Sequence, residues 1–282
     1  MDLLEHFEFS QSSLQDFVDC RRRFFLRCIR RLAWPAVQSE PVVEHEGYMQ
    51  QGSDFHRFAQ QALVGLPVER LSASLVGEDL ARWWESFCDY LPQISNAQPG
   101  PGWQLYPEIS LTAPLGDARL VGKYDLLAAH PGGRILIYDW KTTRQRSRRS
   151  VLEKRLQTRL YPYLLVRAGT FLNAGIPIQP EQVEMIYWFA EHPQQPERFV
   201  YSSAAYQADE AYLTSLIETV QRLDEAEFFL TGDERLCAFC VYRSLCNRGV
   251  TAGDPAALEG DRDEDALTTI DLDFEQIAEI EY

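Results

Sequence analysis

Hydrophobic side chains recur at roughly helical spacing through the first third of the chain. The stretch 8–32 has this spacing, and either Ser10 or Ser12 is placed to cap a helix there. The same pattern predicts a second helix at 44–64 and a third at about 77–92. The chain therefore begins with a helical segment.

The pattern then changes to the alternation that is typical of β-strands. Turn residues at LGD and PGG separate three such segments, QLYPEISLTAPL, ARLVGKYDLLAAH and GRILIYDWKTT. Two more strands are predicted at 184–190 and 197–203, between helices at about 150–173 and 205–229. This order of elements predicts an α/β fold with a mixed central sheet flanked by helices. The N- and C-terminal segments are expected to pack together as a cap.

Composition sets the domain organisation. The 282 residues are 45% hydrophobic, which is enough for a sizeable core. We expect one domain over residues 1–250, with its core at about 100–205, followed by an acidic and mostly disordered tail at 251–282. No secretory signal and no apolar run of membrane-spanning length is seen, so we expect a cytoplasmic protein with no membrane partner.

The distribution of charge matters more than its sum. The formal net charge is −15, but residues 251–282 hold eleven acidic residues and one arginine, which leaves −5 for the rest. Two basic runs lie within that remainder, at 21–31 and 144–159. The electrostatic field near a phosphate backbone depends on local basic patches more than on the net charge, so these two runs favour nucleic acid as a partner.

The segment GKYDLLAAHPGGRILIYDWKTT carries the candidate chemistry. A short, turn-rich loop separates Asp125 from Asp139, so their strands are expected to form a hairpin. Alternation places Asp139 and Lys141 on one face of the sheet and Trp140 on the other. Two carboxylates suit Mg²⁺ or Mn²⁺, and a nearby lysine suits phosphodiester hydrolysis. The alternative is an ordinary solvated strand face.

The helix that follows adds Gln157 and Tyr161, which share one face at i and i+4. In this order and spacing, G-x-x-D, D-W-K-T and Q-x-x-x-Y resemble the RecB-type branch of the PD-(D/E)XK nuclease superfamily. The resemblance implies a restriction-endonuclease-like fold. It departs from the family at Thr143, where glycine often closes the lysine motif.

The resemblance also implies roles for individual residues. Metal ligands would come from Asp125, Asp139 and the carbonyl of Trp140, and Lys141 would be the catalytic lysine. Gln157 and Tyr161 would position the substrate and the lysine. The family's G-x-x-x-H context matches a segment that ends at His56, which implies a further metal ligand. Glu108 is another candidate acid, although a surface position is nearly as plausible.

Three cysteines with C-x2-C-x5-C spacing lie near the end of the domain. Four thiolates would suit Zn²⁺ or an iron–sulfur cluster, and the fourth ligand must come from elsewhere in the chain. The layout of Cys20, Cys237, Cys240 and Cys246 resembles the iron–sulfur members of this nuclease family, which are AddB-type nucleases and CRISPR-associated RecB-like exonucleases. The resemblance implies a structural [4Fe–4S] clasp, with Zn²⁺ as the alternative.

Two functions remain open from the sequence. The first is a Mg²⁺- or Mn²⁺-dependent deoxyribonuclease, an exonuclease that acts on DNA ends or single strands. The second is a non-catalytic nucleic-acid-binding subunit of a helicase–nuclease or repair complex. The chain lacks a G-x-x-x-x-G-K-[ST] loop, so any helicase, repair or CRISPR partner would act in trans.

Overall fold

A computed structural model describes residues 7–32, 40–96, 102–238 and 240–249. The tail predicted at 251–282 lies outside the described residues. The strands are β1 (Glu8–Phe9), β2 (Gln104–Leu115), β3 (Ala118–Ala129), β4 (Ile135–Lys141), β5 (Val183–Phe189) and β6 (Glu197–Val200). The α-helices are α1 (Gln11–Asp19), α2 (Arg21–Phe24), α3 (Glu40–Leu63), α4 (Val68–Ser72), α5 (Glu78–Asn96), α6 (Arg149–Leu152), α7 (Leu156–Ala168) and α8 (Ser203–Arg222).

The described strands form one mixed sheet in the order β1-β3-β4-β5-β6, with β2 paired to β3. Strands β2, β3 and β4 form an antiparallel meander, β4 and β5 are parallel, and β6 returns antiparallel to β5. The predicted mixed sheet flanked by helices is thus confirmed. Because β2 takes one edge of β3, strands β1 and β4 share the other edge at opposite ends, at 119–120 and 126–129.

Helices cover both faces of the sheet, and each face has its own apolar core. On one face, α3 and α5 pack Phe55 and Phe87 around Trp188 of β5. On the other face, α1, α7 and α8 bury side chains such as Leu14, Leu160 and Leu213. This arrangement explains why β5 is buried over its whole length: both of its faces are covered.

The single helix predicted at 8–32 is wrong. Residues 8–9 form β1 beside β3, and α1 begins after Ser10, whose hydroxyl accepts a hydrogen bond from the Ser13 N–H. The backbone is extended at Cys20, with φ −158° and ψ 106°, and this residue separates α1 from α2. A π-helical turn at Phe25–Ile29 follows. Hydrophobic spacing alone did not reveal that the chain turns at the cysteine.

Polar and apolar contacts surround the turn at Cys20. Arg23 folds back onto both Asp16 and Asp19, at 2.6 and 2.7 Å. Phe24 stacks on Phe228, a residue that follows α8. The Arg23–Asp19 pair has the i, i+4 spacing that a continuous helix also provides, so the Phe24–Phe228 stacking is the contact that ties this turn to a distant part of the chain.

Two further helix predictions need correction at their ends. The helix predicted at 150–173 is divided into α6 and α7, and α7 ends where the Gly169 N–H donates to the Leu165 carbonyl. The helix predicted at 205–229 ends at Arg222, and a 3₁₀ turn follows at Glu225–Glu227.

The two ends of the described chain pack together, as predicted. Phe228 contacts the rings of Phe17 and Phe25 as well as that of Phe24. The Tyr242 hydroxyl donates to the Leu32 carbonyl at 2.8 Å. These contacts form the cap. None of the helices in the described ranges is long and apolar enough to cross a membrane.

Candidate active site

The candidate site lies at a fork between β3 and β4. Their ladder ends at the pair Leu126–Tyr138, after which β3 pairs with β1 instead. Asp125 is the first residue of β3 beyond that ladder, and its Oδ2 accepts a hydrogen bond from the Trp140 N–H at 2.7 Å. The predicted hairpin is confirmed, and it places Asp125 beside the Asp139–Lys141 segment.

Strands β2 and β3 both change faces at this fork. In β3, Tyr124 and Leu127 belong to the α7-side core, whereas Leu126 belongs to the opposite core, so strict alternation fails at Asp125. Glu108 and Asp125 lie opposite each other between the β2–β3 pairs Pro107–Leu126 and Ile109–Tyr124, where the ladder is interrupted, and Glu108 has a left-handed φ of 53°. Such a backbone is uncommon for a residue other than glycine and often marks a functional site.

Helix α3 supplies a third polar group to the fork. His56, Glu108 and Asp125 each offer one ligand atom, and these three atoms lie within 4.8 Å of one another. The His56 Nδ1 is 3.1 Å from Asp125 Oδ1, and Lys123 Nζ is 2.8 Å from Glu108 Oε2. We call His56, Glu108 and Asp125 the carboxylate–histidine triad. Hard oxygen donors with one imidazole can hold a divalent cation.

The remaining predicted polar residues form a second group next to the triad. Lys141 Nζ lies 3.1 Å from Asp139 Oδ2 and 3.0 Å from Gln157 Oε1, and Gln157 Nε2 donates to Asp139 Oδ1. The carboxylate of Asp139 is not part of the 4.8 Å triad. The Trp140 ring is buried on the opposite face of the sheet, as alternation predicted.

Tyr161 supports the fork from α7. Its ring lies 4.7 Å from that of Tyr124, and its carbonyl accepts the Tyr124 hydroxyl at 2.9 Å. Gly122 permits this approach, because a Cβ there would lie 2.9 Å from a methyl carbon of Leu164. Tyr161 is buried, and the structure places it beneath the site.

Burial and mutual charge shift the titration of the triad. Burial alone would lower the pKa of His56, but the charges of Asp125, Glu108 and Asp139 outweigh it and raise that pKa to about 9. Burial would raise the pKa of Asp125, yet His56, the Trp140 N–H and Lys141 hold it below the ordinary value. Burial and the Asp125 charge raise the pKa of Glu108. The carboxylates of the fork therefore attract positive charge, and a metal ion bound by His56 would displace the proton that they favour on its ring.

The predicted cysteine ligands converge but do not form a tight site. Burial is the main cause that raises the pKa values of Cys237, Cys240 and Cys246, and the charge of Cys20 contributes in all three. Cys20 is thus close to the other three. Among the described residues, no three cysteine sulfurs lie within 4.8 Å of one another. A single tetrahedral zinc ion would hold its sulfurs about 3.8 Å apart.

Most arginines described in the two basic runs have internal partners. In the first run, Arg23 is buried between Asp16 and Asp19. In the second run, Arg146 and Arg149 both form ion pairs with Glu197, the latter at 3.0 Å. Arg159 forms an ion pair with Asp209, also at 3.0 Å. The two basic runs are the feature from which the sequence predicts a nucleic-acid partner, and these ion pairs weaken that interpretation.

From the sequence, Glu108 is a candidate acid with a surface position nearly as plausible, although the β2–β3 turn contains a signal for it. The short LGD turn fixes the register of the β2–β3 hairpin, with Leu115 opposite Ala118. Counting back from that pair places Glu108 opposite Asp125. The face change at this pair, which brings both carboxylates to the fork, has no such signal in the pattern.

Comparisons with known proteins place the chain. It resembles a candidate exonuclease from Eubacterium rectale at 10% identity, with a TM-score of 0.49 over 80% of this chain and 85% of that one. It also resembles the solved structure SSO0001 at 14% identity, with a TM-score of 0.37 over 92% and 94% of the two chains. No curated protein matches the sequence. The sequence model of a family described as the PD-(D/E)XK nuclease superfamily matches residues 8–247.

Proposed function

The chain belongs to the PD-(D/E)XK nuclease superfamily, and on that premise we propose that it is a metal-dependent deoxyribonuclease. We propose that it acts as an exonuclease on DNA ends or single strands and belongs to the RecB-type branch. The observation that supports this proposal is the fork itself. It places the carboxylate–histidine triad next to a lysine that Asp139 and Gln157 hold in position.

The triad fits a divalent cation by its donor chemistry. Two carboxylates and one imidazole lie close enough to share one ion, and they are only partly exposed. We propose that His56, Glu108 and Asp125 hold Mg²⁺ or Mn²⁺, with Asp139 and the carbonyl of Trp140 as further ligands. Such an ion would offset the negative charge that develops on the phosphate and favour ionisation of water.

The chain's own residues supply positioning and charge. Asp139 and Gln157 fix the ammonium group of Lys141, which is mostly buried. A cation fixed in this way can stabilise negative charge on a phosphate oxygen without reorganising during the reaction. Tyr161 supports Asp125 indirectly, because its ring packs against Tyr124, the residue that precedes Asp125 in β3.

Cleavage of a labelled single-stranded oligonucleotide tests the function. We expect degradation in Mg²⁺ or Mn²⁺ and none in EDTA, because the carboxylates of the fork repel a phosphate unless a cation lies between them. Product lengths over time distinguish shortening from an end from internal cuts. Binding of DNA without cleavage in either metal would instead support the non-catalytic subunit.

We also propose that Cys20, Cys237, Cys240 and Cys246 hold a structural [4Fe–4S] cluster. Two observations support it: the charge of Cys20 acts on each of the other three thiols, and the four cysteines join chain ends that already pack. The sulfurs are more widely spaced than one zinc ion requires, whereas a cluster of several atoms separates its ligands further. The positive charges of Arg22 and Arg23 would favour thiolate forms.

Metal analysis of anaerobically purified protein tests the clasp. We expect iron with broad absorbance near 400 nm in the wild type and at least a severalfold loss of both in Cys20→Ser. Cys88→Ser is the matched control and should retain the iron, because Cys88 packs with the α3–α5 core on the other face of the sheet. Stoichiometric zinc in colourless protein would contradict the proposal.

A further inference from the structure

Arg144 stands apart from the other arginines of its run. It lies three residues after Lys141 in the loop that follows β4, and its side chain is exposed. Its guanidinium carbon is 4.8 Å from the centre of the Tyr48 ring. Among the residues that the structure describes, no carboxylate forms an ion pair with it, whereas Arg146 and Arg149 share Glu197.

Tyr48 itself is fixed by its neighbours. Its hydroxyl donates to the Thr142 carbonyl at 2.5 Å, and its ring meets Trp83 edge-on, with ring centres 5.1 Å apart. A cation on an aromatic face is oriented without being neutralised, because the ring carries no net charge. Tyr48 therefore orients the Arg144 guanidinium without neutralising its positive charge.

One face of α3 connects this arginine to the fork. Tyr48, Gly52 and His56 are four residues apart, so they lie in one row along the helix. This face of α3 packs along the end of β4, because a Cβ at Gly52 would lie 3.0 Å from the Thr142 hydroxyl. Further along the same face, the His56 ring contacts the carboxylate of Asp125. At 1.5 Å per residue, Tyr48 and His56 are separated by about 12 Å along the axis.

We propose that Arg144, held on the Tyr48 ring, binds a backbone phosphate of the substrate strand away from the phosphate that is cleaved. This proposal rests on the proposed function and adds a substrate-binding residue to it. The separation of about 12 Å corresponds to two to four nucleotides, since successive nucleotides lie about 3.4 Å apart along a duplex strand and further apart along an extended single strand. Arginine suits this contact because its planar fork can donate two hydrogen bonds to one phosphate.

The test combines a protein change with a change in the DNA. Binding of a labelled single-stranded oligonucleotide is measured by fluorescence anisotropy in EDTA, where metal-dependent cleavage does not proceed and the repulsion at the fork acts equally on the wild type and the variants. We expect Arg144→Ala to raise Kd about 5- to 20-fold and to reduce the salt slope by roughly 0.7, the value for one phosphate of a single strand. Arg222→Ala, on an exposed arginine of α8, is the control and should bind like the wild type.

A series of oligonucleotides, each with one neutral methylphosphonate linkage, then locates the contact. One linkage should weaken binding by the wild type and have no further effect on Arg144→Ala, because both changes remove the same interaction. Arg144→Lys should retain part of the affinity. The proposal is overturned if Arg144→Ala binds like the wild type, if the two losses multiply at every linkage, or if the wild type does not bind the oligonucleotide.

These outcomes separate the two proposals. If the wild type cleaves DNA but no linkage is coupled to Arg144, the substrate contact is wrong and the nuclease function stands. If one linkage is coupled to Arg144 but no metal supports cleavage, the contact stands and the nuclease function is wrong.

Discussion

Replacing Lys141 with alanine is expected to lower kcat for DNA cleavage by roughly 10²- to 10³-fold, which is the usual effect of losing one preorganised charge-stabilising group. The side chain lies 3.1 Å from Asp139 and 3.0 Å from Gln157, so its ammonium group is fixed before substrate arrives. KM should change little, because the proposed role of Lys141 is confined to the phosphate that is cleaved. Single-turnover cleavage of a labelled oligonucleotide measures the effect.

The control for this prediction is Lys154→Ala, which removes an exposed lysine between α6 and α7. It should cleave DNA at the wild-type rate. Thermal unfolding of both variants identifies any loss of fold, although Gln157 continues to donate to Asp139 in Lys141→Ala. An unchanged rate in a folded Lys141→Ala protein would remove this residue from the chemistry.

Local patterns predicted the strands well because turn chemistry marks their ends. Strand β2 coincides with the predicted segment QLYPEISLTAPL, and the LGD turn sets its pairing with β3. The PGG turn likewise separates β3 from β4. These features depend on neighbouring residues, so the sequence contains the information that they need.

The break at Cys20 could not be read in the same way. It depends on Phe228, which is more than 200 residues away in the sequence and stacks on Phe24. The ion pairs of Arg146 and Arg149 likewise depend on Glu197 in β6. Hydrophobic spacing reports only local periodicity, so it cannot predict contacts between residues that are distant in the sequence and adjacent in the tertiary fold.

The candidate site was predictable in part. Alternation placed Asp139 and Lys141 on one face, and the short loop brought Asp125 beside them. His56 came from the resemblance to a family, since a histidine on a helix has no local feature that assigns it to the fork. Glu108 reaches the fork through a left-handed backbone and a face change in two strands, which follow from no local rule.

Removing one carboxylate of the triad is expected to have the other large effect. Asp125 faces both His56 and the Trp140 N–H, so Asp125→Asn keeps the shape of the side chain but loses its charge. Loss of residues that only support metal ligands typically costs 10- to 100-fold in affinity, so loss of this proposed ligand should weaken metal binding by at least about 100-fold. The matched control is Asp117→Asn, in the exposed β2–β3 turn.

The measurement that decides the matter is a titration of Mn²⁺ into the wild type and these two variants, followed by electron paramagnetic resonance of the free ion without DNA. We predict one Mn²⁺ site in the wild type and in Asp117→Asn, and none in the same concentration range in Asp125→Asn. Binding of equal strength in Asp125→Asn, or no such site in the wild type, would contradict a metal centre at the fork between β3 and β4.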